Sequence, residues 1–229
     1  MKRGKKHIKV TKDLDRSKTY SLVDGIKKVK TLSYSKFVGT LEIHVDIKLP
    51  KDKDPKSLKG AVSLPHSSTA KDIKIAVFTT PDRDEEATNA GADLVGMDKL
   101  VKDVKAGKIE FDIAIASPSV MPKIAIIGKE LGPKGLMPNP KNGTVTDDIA
   151  KAIREYKKGK QTFACDASGV VHMNVGKLDL ETEKLIENIE TAIASISDVV
   201  GKPTEQMIQR MHLAPTMGPS VKIAYSKQV

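Results

Sequence analysis

The sequence predicts a mixed α/β and α+β chain in two parts. A discontinuous α+β domain, an antiparallel sheet with helices, is built from both ends, residues 1–66 and 158–229. A three-layer α/β domain, residues 67–157, is inserted between them. Three observations predict this. Alternating strands with hairpin-like turns occur near both ends. Short apolar strands alternate with helices over about ninety residues in the middle, the pattern of an open α/β sandwich. The basic excess is confined to the ends.

At the start, Ser21 to Leu32 reads as a helix: Ser21 caps, Asp24 completes a capping box, and Leu22, Val23, Ile26, Val29 and Leu32 share one face. Gly39 to Leu49 is an alternating strand, with Leu41, Ile43, Val45, Ile47 and Leu49 on one side and Glu42, His44, Asp46 and Lys48 on the other. Lys51 to Lys56 reads as a hairpin loop, Gly60 to Leu64 as its return strand, and His66 to Ala70 as a linker.

In the middle, Ile73–Phe78, Ala92–Val95 and Phe111–Ala116 read as strands. Glu85–Ala90, Met97–Ala106 and Val120–Leu131 read as helices. Thr146 is expected to cap a fourth helix with Asp147 and Asp148 in its first turn, where the helix dipole favours acids, and Gly159 to stop it. The pattern then reverts. Gln161 to Val175 reads as a hairpin turning at Asp166 to Gly169. The longest apolar stripe, Leu185 to Val200, is a helix stopped by Gly201-Lys202-Pro203. Met207–Leu213 and Val221–Tyr225 are the last two strands.

The 229 residues carry a net charge of +10. Residues 67–157 hold 14 basic and 14 acidic side chains, and the remainder 25 and 15, so the excess belongs to the terminal domain. Charge serving solubility alone would be spread over both parts. Its concentration favours an anionic partner, nucleic acid before membrane surface. Lys2, Arg3, Lys5, Lys6, Lys9 and Lys12 precede the first acid, Asp13, and form a basic arm, either a plain tail or one that orders on RNA. Cys165 is the only cysteine, so no intrachain disulfide is possible and a reducing compartment fits. No apolar run reaches the roughly 18 residues of a membrane span, and Met1 to Val10 lacks the apolar core of a secretory signal.

Gly128 to Thr146 packs four glycines and three prolines into nineteen residues, which makes a stiff, sharply shaped loop. It is not a phosphate loop, because Gly128-Lys129 is followed by Glu130. Gly132-Pro133-Lys134-Gly135 fits the short GXXG clamp of some RNA-binding modules. The five histidines lack metal-ligand spacing, and no nucleophile elbow or acid–base pair stands out, so no metal, cofactor or catalytic residue is expected. The competing reading is an α/β enzyme that uses the 128–146 loop as a substrate lid. Phe37, beside Lys36 and ahead of a strand, either stacks on a base or fills the core. Thr216-Met217-Gly218-Pro219 is either a plain turn or a hydroxyl and exposed backbone offered to a ligand.

The chain resembles the L-one family of large-subunit ribosomal proteins over nearly its whole length. The resemblance rests on Lys36-Phe37 with Thr40, Leu64-Pro65-His66, Gly91-Ala92-Asp93, Leu131 to Lys141 with Gly143-Thr144-Val145, Gly169 with His172 and Gly176-Lys177, and Thr216 to Pro219. It implies an inserted Rossmann-like domain and binding to the stalk region of large-subunit rRNA. It further implies help in releasing deacylated tRNA from the exit site and repression through an operon mRNA leader. A cytoplasmic, ribosome-bound protein, monomeric when free and without membrane contact, is implied too. By position, Lys36, Phe37, Thr40 and Glu42, then Asp166, Gly169 and His172, then Arg210 and Thr216, Met217, Gly218 and Pro219 look like RNA contacts. Lys134 and Lys141 are secondary contacts to RNA or tRNA. The family often has Ser where Arg210 stands, and glycines where the first hinge reads Ser67-Ser68-Thr69-Ala70, a difference that bears on opening there.

Overall fold

The computed structural model describes residues 4–12, 14–15, 17–48, 54–66 and 73–224. Lys2 and Arg3 of the basic arm, the hinge at 67–70 and the first half of the predicted loop at 51–56 lie outside them. The chain divides into two compact units, Met1–Ser68 with Thr162–Val229, and Thr69–Gln161. With this boundary Lys158 and Lys160 fall in the second unit, and the first keeps an excess of +8.

The first unit begins with α1 (Lys5–Thr11), β1 (Thr19–Tyr20), α2 (Leu22–Leu32), β2 (Thr40–Ile47) and β3 (Lys59–Ser63). The second contributes β4 (Ile75–Phe78), α3 (Asp84–Asn89), β5 (Leu94–Val95), α4 (Asp98–Lys105), β6 (Ile113–Ala116), α5 (Met121–Ile124), α6 (Gly128–Leu131) and α7 (Ile149–Lys157). After β7 (Lys160–Ala164), the first unit resumes with β8 (Val170–Lys177), α8 (Thr182–Val200), α9 (Thr204–Met207), β9 (Ile208–Pro215) and β10 (Val221–Ile223).

In the first unit the strands run β1-β10-β9-β2-β8. The ladders are antiparallel except β1 on β10, so the sheet is mixed at one edge rather than wholly antiparallel. Alternation turns Leu41, Ile43, Val45 and Ile47 of β2 inward with Val171, Met173, Val175, Met211 and Leu213. They meet Ile26 and Val29 of α2 and Leu185, Ile189, Ile193 and Ile196 of α8. Ser21 caps α2 as expected, its Oγ accepting from Asp24 N at 3.1 Å. Gly25 sits inside that helix because β10 leaves no room: a Cβ there would stand 2.1 Å from Ile223 Cδ1. The predicted apolar stripe of α8 skips Asn188, which is fully buried. Its amide donates to His66 O and Val175 O and accepts from His66 N, so the residues that enter the first crossing are pinned to α8.

In the second unit the parallel order is β5-β4-β6. Ala87 of α3 and Ile149, Ile153 and Tyr156 of α7 cover one face; Leu100 and Val104 of α4, Ile124 of α5 and Leu131 of α6 cover the other. These are the three layers that the alternating pattern implies.

Four local expectations are corrected. The strand at 60–64 does not return on β2: both neighbours of β2 are taken by β8 and β9, and β3 pairs with β7. Gly60 explains that choice, since it lies flat against Phe163 of β7, where a Cβ would come within 2.7 Å of the ring. The turn at Asp166 to Gly169 exists, but the strands on its two sides part into different sheets, joined only by a Cys165–Val171 bridge among the described residues. The helix expected over Val120–Leu131 is broken into α5, α6 and 3-10 turns, with Pro118 and Pro122 among them. Finally, Asp148 rather than Thr146 caps α7, its Oδ1 accepting from Lys151 N at 3.1 Å, while Thr146 Oγ1 accepts from Asp148 N.

Candidate nucleic-acid interface

The core-facing side of the five-stranded sheet is covered by α2 and α8. Its other side presents the polar alternates. Thr40, Glu42, His44 and Asp46 come from β2, His172 and Asn174 from β8, Arg210, His212 and Ala214 from β9, and Lys222 from β10. Along β2 this face spans about 20 Å at roughly 3.4 Å per residue.

At one end of β2 two distant segments converge. Thr40 N donates to Thr216 Oγ1 at 2.8 Å, and Thr216 N donates to Thr40 O at 3.0 Å. Tyr34 N donates to Met217 O at 3.2 Å, and Ser35 Oγ donates to Phe37 O at 2.7 Å. These bonds set the Lys36–Thr40 segment against the Thr216–Pro219 loop. The apolar side chains are left outside: Phe37 is 58% exposed and Met217 44%. Of the two readings of Phe37, core or surface, the exposure selects the surface one. Gly218 lets the loop lie on the end of α2, since a Cβ there would come within 2.9 Å of Leu32 O. Pro219 is buried and shapes the loop from beneath.

Asp166, Gly169 and Arg210 belong to the other end of the same face, while Glu42 follows Thr40 on it. Arg210 stands opposite Asp46, and Gly169 O accepts from Ile47 N. Asp166 Oδ1 accepts from Val170 N and Ser168 N, at 2.9 and 2.8 Å, so its carboxylate builds the turn. Those backbone bonds, that to Val170 foremost, hold Asp166 below the usual carboxylate range. Gly169 takes φ 88 in this turn and is buried, so it supplies shape rather than surface.

Between the two ends lies a row of which only His172 belongs to the candidate set. His172, His44 and His212 are register partners on three adjacent strands. His44 Nδ1 and His172 Nδ1 are 2.7 Å apart, the rings meeting edge to face. Burial, then the neighbouring His172 and His212, pushes His44 down; burial, then Lys222 and Arg210, does the same to His212. Alternation alone places His44 and His172 on the polar side of their strands. Only the register of β9 shows that His212 joins them. Among the described residues no cluster could hold a metal ion, and no helix is long and apolar enough to cross a membrane.

Lys134 and Lys141 lie in the second unit, both exposed. The Gly/Pro loop that carries them is stitched down rather than free. Asn139 N donates to Thr144 Oγ1, Ala116 N to Thr144 O, Thr146 N to Ala116 O, and the Tyr156 hydroxyl to Asn142 O at 2.7 Å. Burial, with Glu155 adding, pushes that phenol up to about 12. A lid has to open, and this loop extends the edge of β6.

The chain is thus a two-unit protein whose basic α+β unit exposes an aromatic beside a braced loop. The model of the ribosomal protein L1p/L10e family matches residues 27–219, and the chain belongs to that family. It is 39% identical to the large ribosomal subunit protein uL1 of Kosmotoga olearia, with 100% of this chain and 99% of that protein covered. It is 40% identical to the uL1 of Thermosipho melanesiensis and 42% identical to that of Leptospira biflexa, each alignment covering 97% of this chain and 96% of the relative.

Proposed function

We propose that this protein is a non-enzymatic constituent of the large ribosomal subunit that grips the stalk region of large-subunit rRNA through its first unit. The observation that carries this reading is the bracing of Thr40 by Thr216. It holds a preformed edge where Phe37 and Met217 face outward, in the unit that also holds the positive excess. Such an edge suits folded RNA. Backbone groups and hydroxyls read phosphate and 2′-OH positions, an exposed ring stacks on an unpaired base, and the lysines supply affinity that falls with salt. Recognition by shape requires that edge to be rigid before binding, which the bonds across it provide.

The same reading assigns the ribosome as its cytoplasmic home. Deacylated tRNA leaving the exit site is a transient partner, met through Lys134 and Lys141 on the nearly neutral second unit. An operon mRNA leader that imitates the stalk fold is a competing ligand, whose capture represses translation. Both extensions rest on the family resemblance.

The test is a titration of the full chain against a stalk-region rRNA transcript at one stated salt concentration. Phe37→Ala is expected to weaken binding by about 1–3 kcal/mol, the cost of losing one stacked base, and Met217→Ala to weaken it through lost apolar contact. Unchanged affinity in both variants sinks the site. A leader transcript that displaces the rRNA from wild type but not from the variants' residual complexes would argue against a shared site.

A further inference from the structure

We propose that the His44–His172 pair is a proton-linked RNA contact: binding of RNA to the open face takes up a proton on this pair, so affinity rises as pH falls through the imidazole range. The inference rests on the reading of that face as the RNA interface.

The argument starts from a mismatch. The face assigned to an anion carries the carboxylates of Glu42, Asp46 and Asp166 alongside its cations. Laid over them, a phosphate backbone meets like charge, which disfavours the contact. Two of the three carboxylates end on the imidazoles. Glu42 Oε2 lies 3.9 Å from His44 Nε2, and Asp166 Oδ2 lies 3.5 Å from His172 Nε2. The two Nδ1 atoms, 2.7 Å apart, form one hydrogen bond, so one ring donates and the other accepts. The pair therefore accommodates a single extra proton at an Nε2 and keeps the bond between the rings. A second positive charge would break that bond. One charge suffices to turn the chain Glu42–His44–His172–Asp166 from net −2 to net −1 while holding its geometry.

The rest of the face decides when that proton arrives. His212, opposite His44 on β9, stands with Arg210 and Lys222 on one side, and with His7 and Asp15 across a cavity of about 440 Å³ on the other. Lys177 closes the β8 end. In the free protein burial, then the neighbouring His172 and His212, lower the proton affinity of His44, and Lys222 and Arg210 help lower that of His212 beside it. A phosphate brought within about 4–6 Å adds the opposite charge, which raises an imidazole by about 1–3 units. Each unit of that rise strengthens binding about tenfold at pH below the free value.

Calorimetry of the full chain with the stalk-region transcript, in two buffers of different ionisation enthalpy at pH 6.8 and constant ionic strength, reads proton uptake directly. At least half a proton per complex is expected for wild type. Affinity is expected to rise about tenfold from pH 8 to pH 6. His44→Gln and His172→Gln should lose most of the uptake and flatten the rise to under about threefold. Equal uptake in wild type and both variants, or none in wild type, overturns the proposal. Absence of any complex at every pH overturns the interface reading beneath it, and is told apart by the missing binding heat itself.

Discussion

Thr216 and Thr40, 176 residues apart in the chain, are joined by three hydrogen bonds. Thr40 N donates to the Thr216 hydroxyl oxygen, and both the amide and the hydroxyl of Thr216 donate to Thr40 O, at 2.8, 3.0 and 3.2 Å. The amide bond survives any substitution that keeps the backbone. Thr216→Val therefore removes two of the three bonds at nearly constant shape. It is expected to cost about 1 kcal/mol of stability, or about 2–4 °C in Tm. Affinity for stalk rRNA should fall at least about tenfold, because a loosened edge loses its preformed shape. Thermal melts and titrations on the same preparation separate the two effects.

Gly218 tests the shape of the loop rather than its chemistry. Its backbone is not in the left-handed region, so Ala is barred only by contact: 2.6 Å to Pro215 Cγ and 2.9 Å to Leu32 O. The Leu32 carbonyl belongs to a helix and yields little. Gly218→Ala is expected to destabilise the chain by about 1–3 kcal/mol in urea unfolding, as overpacking does. It should also displace Met217 and weaken RNA binding more than Met217→Ala does.

The two sets of lysines should separate in salt titrations. Lys36 borders the braced edge, and Lys36→Gln is expected to reduce the slope of log affinity against log salt by about 0.7–0.9. Lys134→Gln, in the other unit, should leave the slope for stalk rRNA unchanged. A like reduction from both would place the second unit on the same RNA.

Without RNA, acid should weaken the fold. His44 and His212 bind protons less readily folded than unfolded, chiefly because burial disfavours the charged rings. Their contribution to stability is therefore complete above the unfolded value near 6.5 and is lost as pH falls below it towards the lower folded value. The urea midpoint is expected to fall between pH 7.5 and 5.5, and less steeply in His44→Gln. RNA binding, if it takes up a proton as proposed, shows the opposite pH dependence.

Much of the fold was legible in the residues. Capped α2, alternating β2, the long stripe of α8 and the three strands of the second unit each follow from a local pattern, and a local pattern is what sequence displays. Pairing was not. The hairpin expected between β2 and β3 fails because a strand takes the partner that buries most, and β8 and β9 lie more than a hundred residues away. Asn188 was invisible for the same reason: its three partners, His66 N, His66 O and Val175 O, are assembled by tertiary contact.

By itself the sequence determined which side chains each strand turns outward, where the charge lies, and which family the chain belongs to. These are properties of spacing and composition that no packing alters. The tertiary structure decided which of those outward residues meet. It joined Thr216 to Thr40, aligned His212 with His44 and His172, left Phe37 in solvent and stitched the Gly/Pro loop to β6. Each of those depends on register between segments far apart in the chain. Register is set by the summed burial of whole strands, which cannot be read from any one of them.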